Sequence, residues 1–395
     1  MVQILDSTLR EGEQTPGVYF SPETKLFIAE FLDQIGVDII EAGNPTVSSE
    51  ISASIARIAN ANLKAKIGAH SLCRIDHVQR ALDCGVDFLG VFFSVSQQRL
   101  ERDYQISVEA ALDRIFEVIQ YARQQRPDLV IRYTPEDTVR SAMSHVIQAA
   151  SVAIRAGANI ISIADTTGYA TPFQADRSYA HYVTTLKQGL AQHQLYPAIA
   201  AHCHNDRGLA LANALDAYRN GVDIIDTSVM GLGERAGIVD LAALLVNLIE
   251  MGEPESRWNL AGLKELYHLI SRYSHISPPP HSPVVGKNAF THYSGVHVRA
   301  IARDESLYQS LNIGSLGIKS DLALGVQSGR AAVELAMHQI GRGGLLSNPA
   351  LINRILQAVK ELAKRGTLID IDTELPSIVD QCIVMQMMTE QTIDH

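Results

Sequence analysis

The stretch "AHCHND", Ala201 to Asp206, sets two imidazoles two residues apart at the end of a short apolar, β-rich run. On a strand, residues i and i+2 point to the same side, so His202 and His204 project together from its C-terminal end. Two imidazoles so placed are a common metal pair, and one carboxylate completes a facial set of three ligands. Two acids qualify: Glu11 in "DSTLREGEQ" (Asp6 to Gln14), just after the first apolar run, and Asp206 itself. Without a metal, the same pair is simply two hydrogen-bonded histidines.

Other apolar runs also end in polar residues. Glu41 closes "VDIIEA", His70 closes "AKIGAH", Thr166 follows the sixth run, in "ADTTG", and Asp226 lies in "VDIIDT". In "VIRYTPED", Arg132 and Thr134 share a face and precede Glu136 and Asp137. If that face is buried, the guanidinium must be paired with an anion, such as a substrate carboxylate; if not, Tyr133 is inside and Arg132 outside. "GLGERAG" (Gly231 to Gly237) is Gly-rich but lacks the Lys-Ser/Thr of a phosphate loop. Its Glu234 and Arg235 suit a structural ion pair as well as chemistry. Further on, "THYSGVHVRAI" carries His292 and His297, with Tyr308 eleven residues after His297.

Eight candidate strands must position these groups: 3–6, 37–42, 65–70, 88–93, 130–134, 159–164, 198–204 and 222–227. Between them lie helical patterns such as "SPETKLFIAEFLDQIG", with a Ser-Pro start, a 3.6-residue apolar repeat and a closing Gly. Eight evenly spaced strand–helix units in about 250 residues predict an α/β fold, a (β/α)8 TIM barrel spanning 1–275, with a doubly wound open sheet as runner-up. In a closed barrel strand one adjoins strand eight, which makes Glu11 the natural third ligand. "ISPPPHSPV" (276–284) reads as a stiff hinge, and 285–395 as smaller, mainly helical subdomains, including "GRAAVELAMHQIG" and "NRILQAVKELAKRG".

The chain has 395 residues, 46% hydrophobic, and a formal net charge of -10. That balance argues against nucleic acid or an anionic membrane as partner. Four dispersed cysteines, no apolar stretch of 18 residues and no signal-like N-terminus predict a reduced, soluble, cytoplasmic protein.

Together, "DSTLREGEQ", "RYTPEDTVRS", "ADTTGYATP", "HCHND", "GLGERAG" and "HYSGVHVRAI" resemble, in order and over nearly the whole length, the acyl-CoA-condensing metalloenzymes that contain homocitrate synthase and 2-isopropylmalate synthase. The resemblance implies a homodimer in which a helical subdomain of one chain covers the active site of its partner, giving His297 and Tyr308 a role in trans. It implies condensation of acetyl-CoA with a 2-oxo acid at a divalent metal (Mg, Mn or Zn) held by Glu11, His202 and His204. Arg10 would stabilise the developing alkoxide, and His297, poised by Glu136 or Tyr308, would take a proton from the acetyl methyl. Gln14 and Thr166 would orient the substrate, and His70, Arg132 and Thr134 would hold the distal carboxylate of 2-oxoglutarate.

Arg10-Glu11-Gly12, Ile238 after "GERAG", and Arg132 are similar to lysine-type homocitrate synthases, which makes homocitrate the expected product. Gly43 in "IEAGNP" and Tyr293-Ser294 before "GVH" depart from that type. The alternatives are the same reaction on 2-oxoisovalerate or phenylpyruvate, a carbon–carbon lyase, and a non-catalytic paralogue that binds metal or ligand. An apolar substrate would leave a buried Arg132 in need of another partner.

Overall fold

The computed structural model describes residues 1–301, 303–366 and 369–393. These form two compact units, Met1–Pro278 and Pro279–His395.

In the first unit, eight parallel strands close into a barrel: β1 (Gln3–Asp6), β2 (Ile39–Glu41), β3 (Lys66–Leu72), β4 (Phe88–Phe92), β5 (Val130–Thr134), β6 (Ile160–Asp165), β7 (Ala198–Cys203) and β8 (Ile224–Thr227). Closure is made by β1, which pairs with β2 on one side (Leu5 opposite Ile39) and β8 on the other (Leu5 opposite Asp226). The open doubly wound sheet is thereby excluded. Helices follow each strand: α1 (Pro22–Ile35), α2 (Ser49–Ala59), α3 (Ile75–Asp83), α4 (Val108–Gln125), α5 (Met143–Ala156), α6 (Tyr179–Ala191), α7 (Ala210–Arg219) and α8 (Leu241–Glu250), with α9 (Leu263–Ser274) after them. The Ser-Pro start of α1 works as its sequence suggests. Ser21 accepts a hydrogen bond from the Thr24 amide, and Pro22 sits in the first turn, where no amide donor is needed.

The lumen is built on the two-residue period of the strands. Leu5, Ile39, Phe88, Ile160, Ala200 and Ile224 pack into one apolar layer. Two residues further along the same strands stand Ser7, Glu41, Gly90, Ser162, His202 and Asp226, so the next layer toward the C-terminal ends is polar. Active sites of such barrels are built at that end. Gly90 is part of the design: a Cβ there would lie 3.2 Å from His70 Nδ1 and 3.5 Å from Glu41 Oε1. Its missing side chain is the room that the charged groups occupy.

The second unit holds a two-stranded parallel pair, β9 (Thr291–His292) and β10 (Asp321–Leu322), and helices α10 (Gly295–Ile301), α11 (Arg330–Gln339), α12 (Pro349–Lys364) and α13 (Leu375–Ile393). Val333, Ala336, Ile352, Ile355, Val359 and Val379 form its core. Among the described residues, no helix is long and apolar enough to cross a membrane.

Candidate active site

A cavity of about 530 Å³ opens at the C-terminal ends of the strands. Most of the sequence-derived candidates of the first unit line it, including Arg10, Glu11, His70, Arg132, His202 and His204. Glu11 lies one turn beyond β1, His202 is the penultimate residue of β7, and His204 comes just after the strand end. Among the described residues, Glu11, His202 and His204 are the one group of three whose ligand atoms all fall within 4.8 Å of one another. The two Nε2 atoms face each other at 3.2 Å, and Glu11 Oε1 is 4.0 Å from His204 Nε2.

Around this triad the charges form a closed chain. Arg10 donates to Glu11 through Nη1 and to Glu41 through Nε at 2.7 Å. Arg132 donates Nη2 to Glu41 at 3.3 Å and Nη1 to both oxygens of Asp226 at 2.9 Å. Asp226 Oδ2 lies 3.0 Å from His202 Nδ1. With Nδ1–H given to Asp226, His202 keeps its Nε2 lone pair for the cavity, the arrangement by which a carboxylate orients a metal-binding imidazole.

Burial pushes the Glu11 carboxyl up, but Arg10 and the two histidines outweigh it and hold it at about 2. Burial, reinforced by His202, pushes His204 down to about 3. Glu41 is raised by burial yet held well below the usual carboxylate range, chiefly by Arg10 and His70. Three carboxylates, Glu11, Glu41 and Asp226, thus face two guanidiniums, Arg10 and Arg132, in this ring. Two free imidazole nitrogens, a carboxylate and a ring with more carboxylates than guanidiniums suit a divalent cation.

The geometry also corrects several expectations. Asp206, the alternative ligand, gives both oxygens to Arg235 at 2.6 and 3.0 Å and is no member of the triad. Arg235 thus pairs with Asp206 rather than with its neighbour Glu234, whose amide instead donates to Glu11 Oε1 at 3.1 Å. Arg132 does face the lumen and is 1% exposed, but its anions are the protein's own Asp226 and Glu41. A substrate carboxylate is not needed to neutralise it, so Arg132 gives no argument against an apolar substrate. Glu136 lies at the cavity wall, bound by Arg99 and 3.5 Å from the Tyr104 hydroxyl.

The remaining candidates are placed in both units. His70 bonds Glu41 Oε1 at 3.1 Å and stacks on Phe92 with ring centroids 4.5 Å apart. Gln14, with its amide nitrogen turned to Glu11, reaches both carboxylate oxygens at 3.1 and 3.2 Å. The Thr166 hydroxyl accepts from the Asp137 amide at 2.9 Å. In the second unit, the His297 ring stacks on Tyr308 at 4.0 Å. One residue was not foreseen: Ser162 on β6 lines the cavity with a fully buried hydroxyl that has no partner, as does Thr134 on β5. Its only signal was its place in "NIISIAD", two residues beyond Ile160 on the inward face.

The barrel and its triad already define a class of lumenal, carboxylate–histidine sites. A family profile described as HMGL-like matches residues 1–270, and one described as homocitrate synthase post-HMGL domain-like matches residues 284–367. The homocitrate synthase of Pyrococcus abyssi is 37% identical over 90% of this chain and 94% of that protein. The 2-isopropylmalate synthase of Methanocaldococcus jannaschii is 32% identical over 97% of this chain and 72% of that protein. The hydroxymethylglutaryl-CoA lyase of Pseudomonas aeruginosa shares the fold, with a TM-score of 0.60 at 21% identity over 70% of this chain and 94% of that one. The chain belongs to the HMGL-like family, in the branch that holds homocitrate synthases and 2-isopropylmalate synthases.

Proposed function

We propose that the chain is an acyl-transferring enzyme that condenses acetyl-CoA with 2-oxoglutarate to give homocitrate and CoA. The observation that carries the reading is the Glu11–His202–His204 triad, oriented by Asp226 and flanked by Arg10 at the mouth of the barrel, in a chain whose relatives include homocitrate synthases. Glu11, His202 and His204 would hold a divalent cation (Mg, Mn or Zn), which supplies Lewis-acid polarisation of the keto carbonyl when bound.

The protein's own groups do the rest. Arg10 uses Nε on Glu41 and Nη1 on Glu11, leaving Nη2 for the oxygen that gains charge as the bond forms. A base removes a proton from the acetyl methyl, and the carbanion adds to the keto carbon, whose oxygen ends protonated. Water then cleaves the thioester, the C–S bond breaks and CoA leaves. His297, stacked on Tyr308, is our candidate base, supplied by the second unit of a partner copy in a homodimer. His70 and the unpartnered hydroxyls of Thr134 and Ser162 would receive the distal end of the substrate, and Gln14 and Thr166 its reacting end.

A second reading rests on Arg132. Its charge is already paired within the protein by Asp226 and Glu41, and Leu9, Val18, Tyr19, Val47, Ile51 and Phe92 give the cavity an apolar side. An apolar 2-oxo acid, 2-oxoisovalerate or phenylpyruvate, would undergo the same chemistry. CoA release from acetyl-CoA with Mn2+ and each of the three 2-oxo acids decides between them. Preference for 2-oxoglutarate supports homocitrate as product; preference for an apolar acid supports the second reading; no release with any acid overturns both.

A further inference from the structure

Lys25 belongs to the amphipathic α1, yet it is 1% exposed. Its ammonium reaches back to the loop after β1, donating to Glu13 Oε2 at 2.5 Å and to the Leu9 carbonyl at 3.2 Å. The other oxygen of Glu13 accepts the Phe20 amide at 2.9 Å. The two atoms that Lys25 holds therefore bracket Arg10-Glu11-Gly12, the segment that carries both the carboxylate of the triad and the guanidinium beside it. From its far side the same loop is tied to the loop after β8. The Thr15 hydroxyl accepts from the Gly233 amide at 2.8 Å and donates to the Gly233 carbonyl at 3.1 Å, and Glu11 Oε1 accepts the Glu234 amide.

We infer that Lys25 is a positioning residue of the active site: through Leu9 and Glu13 it fixes where Arg10 and Glu11 stand. A buried ion pair is a poor device for stability alone, since apolar residues of similar volume commonly do as well or better. Lys also loses more rotamer freedom on burial than most residues. What the ammonium supplies that an apolar side chain lacks is a directed hold on a main-chain carbonyl and a carboxylate, each next to the segment that must be placed. Outer partners of metal ligands act in this way, and their loss commonly costs about 10–100-fold in metal affinity. The inference rests on the proposed metal triad for its consequence, while its local claim concerns the loop alone.

The test compares the full-length protein with Lys25→Met and with Lys25→Met/Glu13→Gln, which removes the charge left unpaired in the single variant. Amide hydrogen exchange, Mn2+ binding without substrate and thermal stability are measured on each. In both variants exchange at residues 10–15 should rise at least about tenfold while the strands stay protected, and Mn2+ should bind about tenfold more weakly. The double variant should recover thermal stability without recovering either. Exchange at 10–15 within about twofold of the parent, or exchange that rises evenly over the barrel in step with stability, would overturn the inference. A parent protein that binds no Mn2+ overturns the metal reading instead, and the exchange data still decide the positioning role.

Discussion

Arg132 shows how a residue type can be right and its partner wrong. "VIRYTPED" announces an Arg on an inward face, and the need to neutralise a buried guanidinium points to an anion. The anions are Glu41 and Asp226, each from a strand not adjacent to β5, and no local pattern reveals who meets across a lumen. Lys25 was illegible for a related reason: a lone Lys in an amphipathic helix reads as a surface residue, and only the tertiary structure shows it turned inward. The histidine pair was legible because a two-residue spacing on a strand is a geometric statement in itself.

Arg132→Met leaves the buried Asp226 carboxylate without its guanidinium partner and removes one of Glu41's, and should destabilise the protein by about 3–5 kcal/mol, read by denaturant unfolding; an unchanged midpoint would contradict the pairing. Asp226→Asn loosens His202 and should weaken Mn2+ binding by about 10–100-fold, read by titration of the metal.

Asp6, fully buried beside Thr8 and Thr227, has a raised pKa of about 7, chiefly from burial. A group raised in the folded state contributes stability that is full below its unfolded value of 3.8 and is lost as pH rises through about 7. Asp6→Asn should therefore flatten the stability profile between those two values and make the variant the more stable protein at about pH 8. Parallel profiles for the two proteins would contradict the shift.

At the scale of elements, the loops after β1 and β8 act as one part. "DSTLREGEQ" and "GLGERAG" looked like separate motifs in the sequence, yet Thr15 and Glu11 bind Gly233 and Glu234 across them. Gly237 keeps the second loop tight: its φ is +77°, and a Cβ there would lie 1.7 Å from the Gly231 carbonyl oxygen. Gly237→Ala should cost more than about 1 kcal/mol through the backbone alone. It should also lower the turnover number by displacing the Glu234 amide from Glu11. Unchanged stability and turnover would mean that this loop tolerates the shift. Strand positions were legible to within a residue or two because apolar β-rich runs alternate with capped helices. Short Ile39–Glu41 is trimmed from its expected span of 37–42, since backbone pairing, which the sequence does not display, sets the ends.

At the scale of the whole molecule, eight regular strand–helix units made barrel closure legible, and closure alone brings Glu11 near His202 and His204. Beyond residue 278 only a mainly helical character was legible; the short parallel pair β9–β10 carries no pattern of its own at two residues per strand. The proposed homodimer with an exchanged lid makes a plain prediction. His202→Ala and His297→Ala should each be inactive, and mixed after joint refolding they should regain about a quarter of parental activity, because half of the dimers then hold one intact site. No recovery would place His297 in cis or remove it from the chemistry.

Glu11, His202 and His204 are proposed to hold together the cation on which condensation depends. The most direct measurement follows CoA release from acetyl-CoA and 2-oxoglutarate as Mn2+ is added to chelator-stripped protein, for the parent and for Glu11→Gln. The expected result is no release before Mn2+, saturable activation of the parent, and neither tight Mn2+ binding nor activity in the variant. Release by stripped parent protein, or parental Mn2+ activation of Glu11→Gln, would contradict the proposed centre.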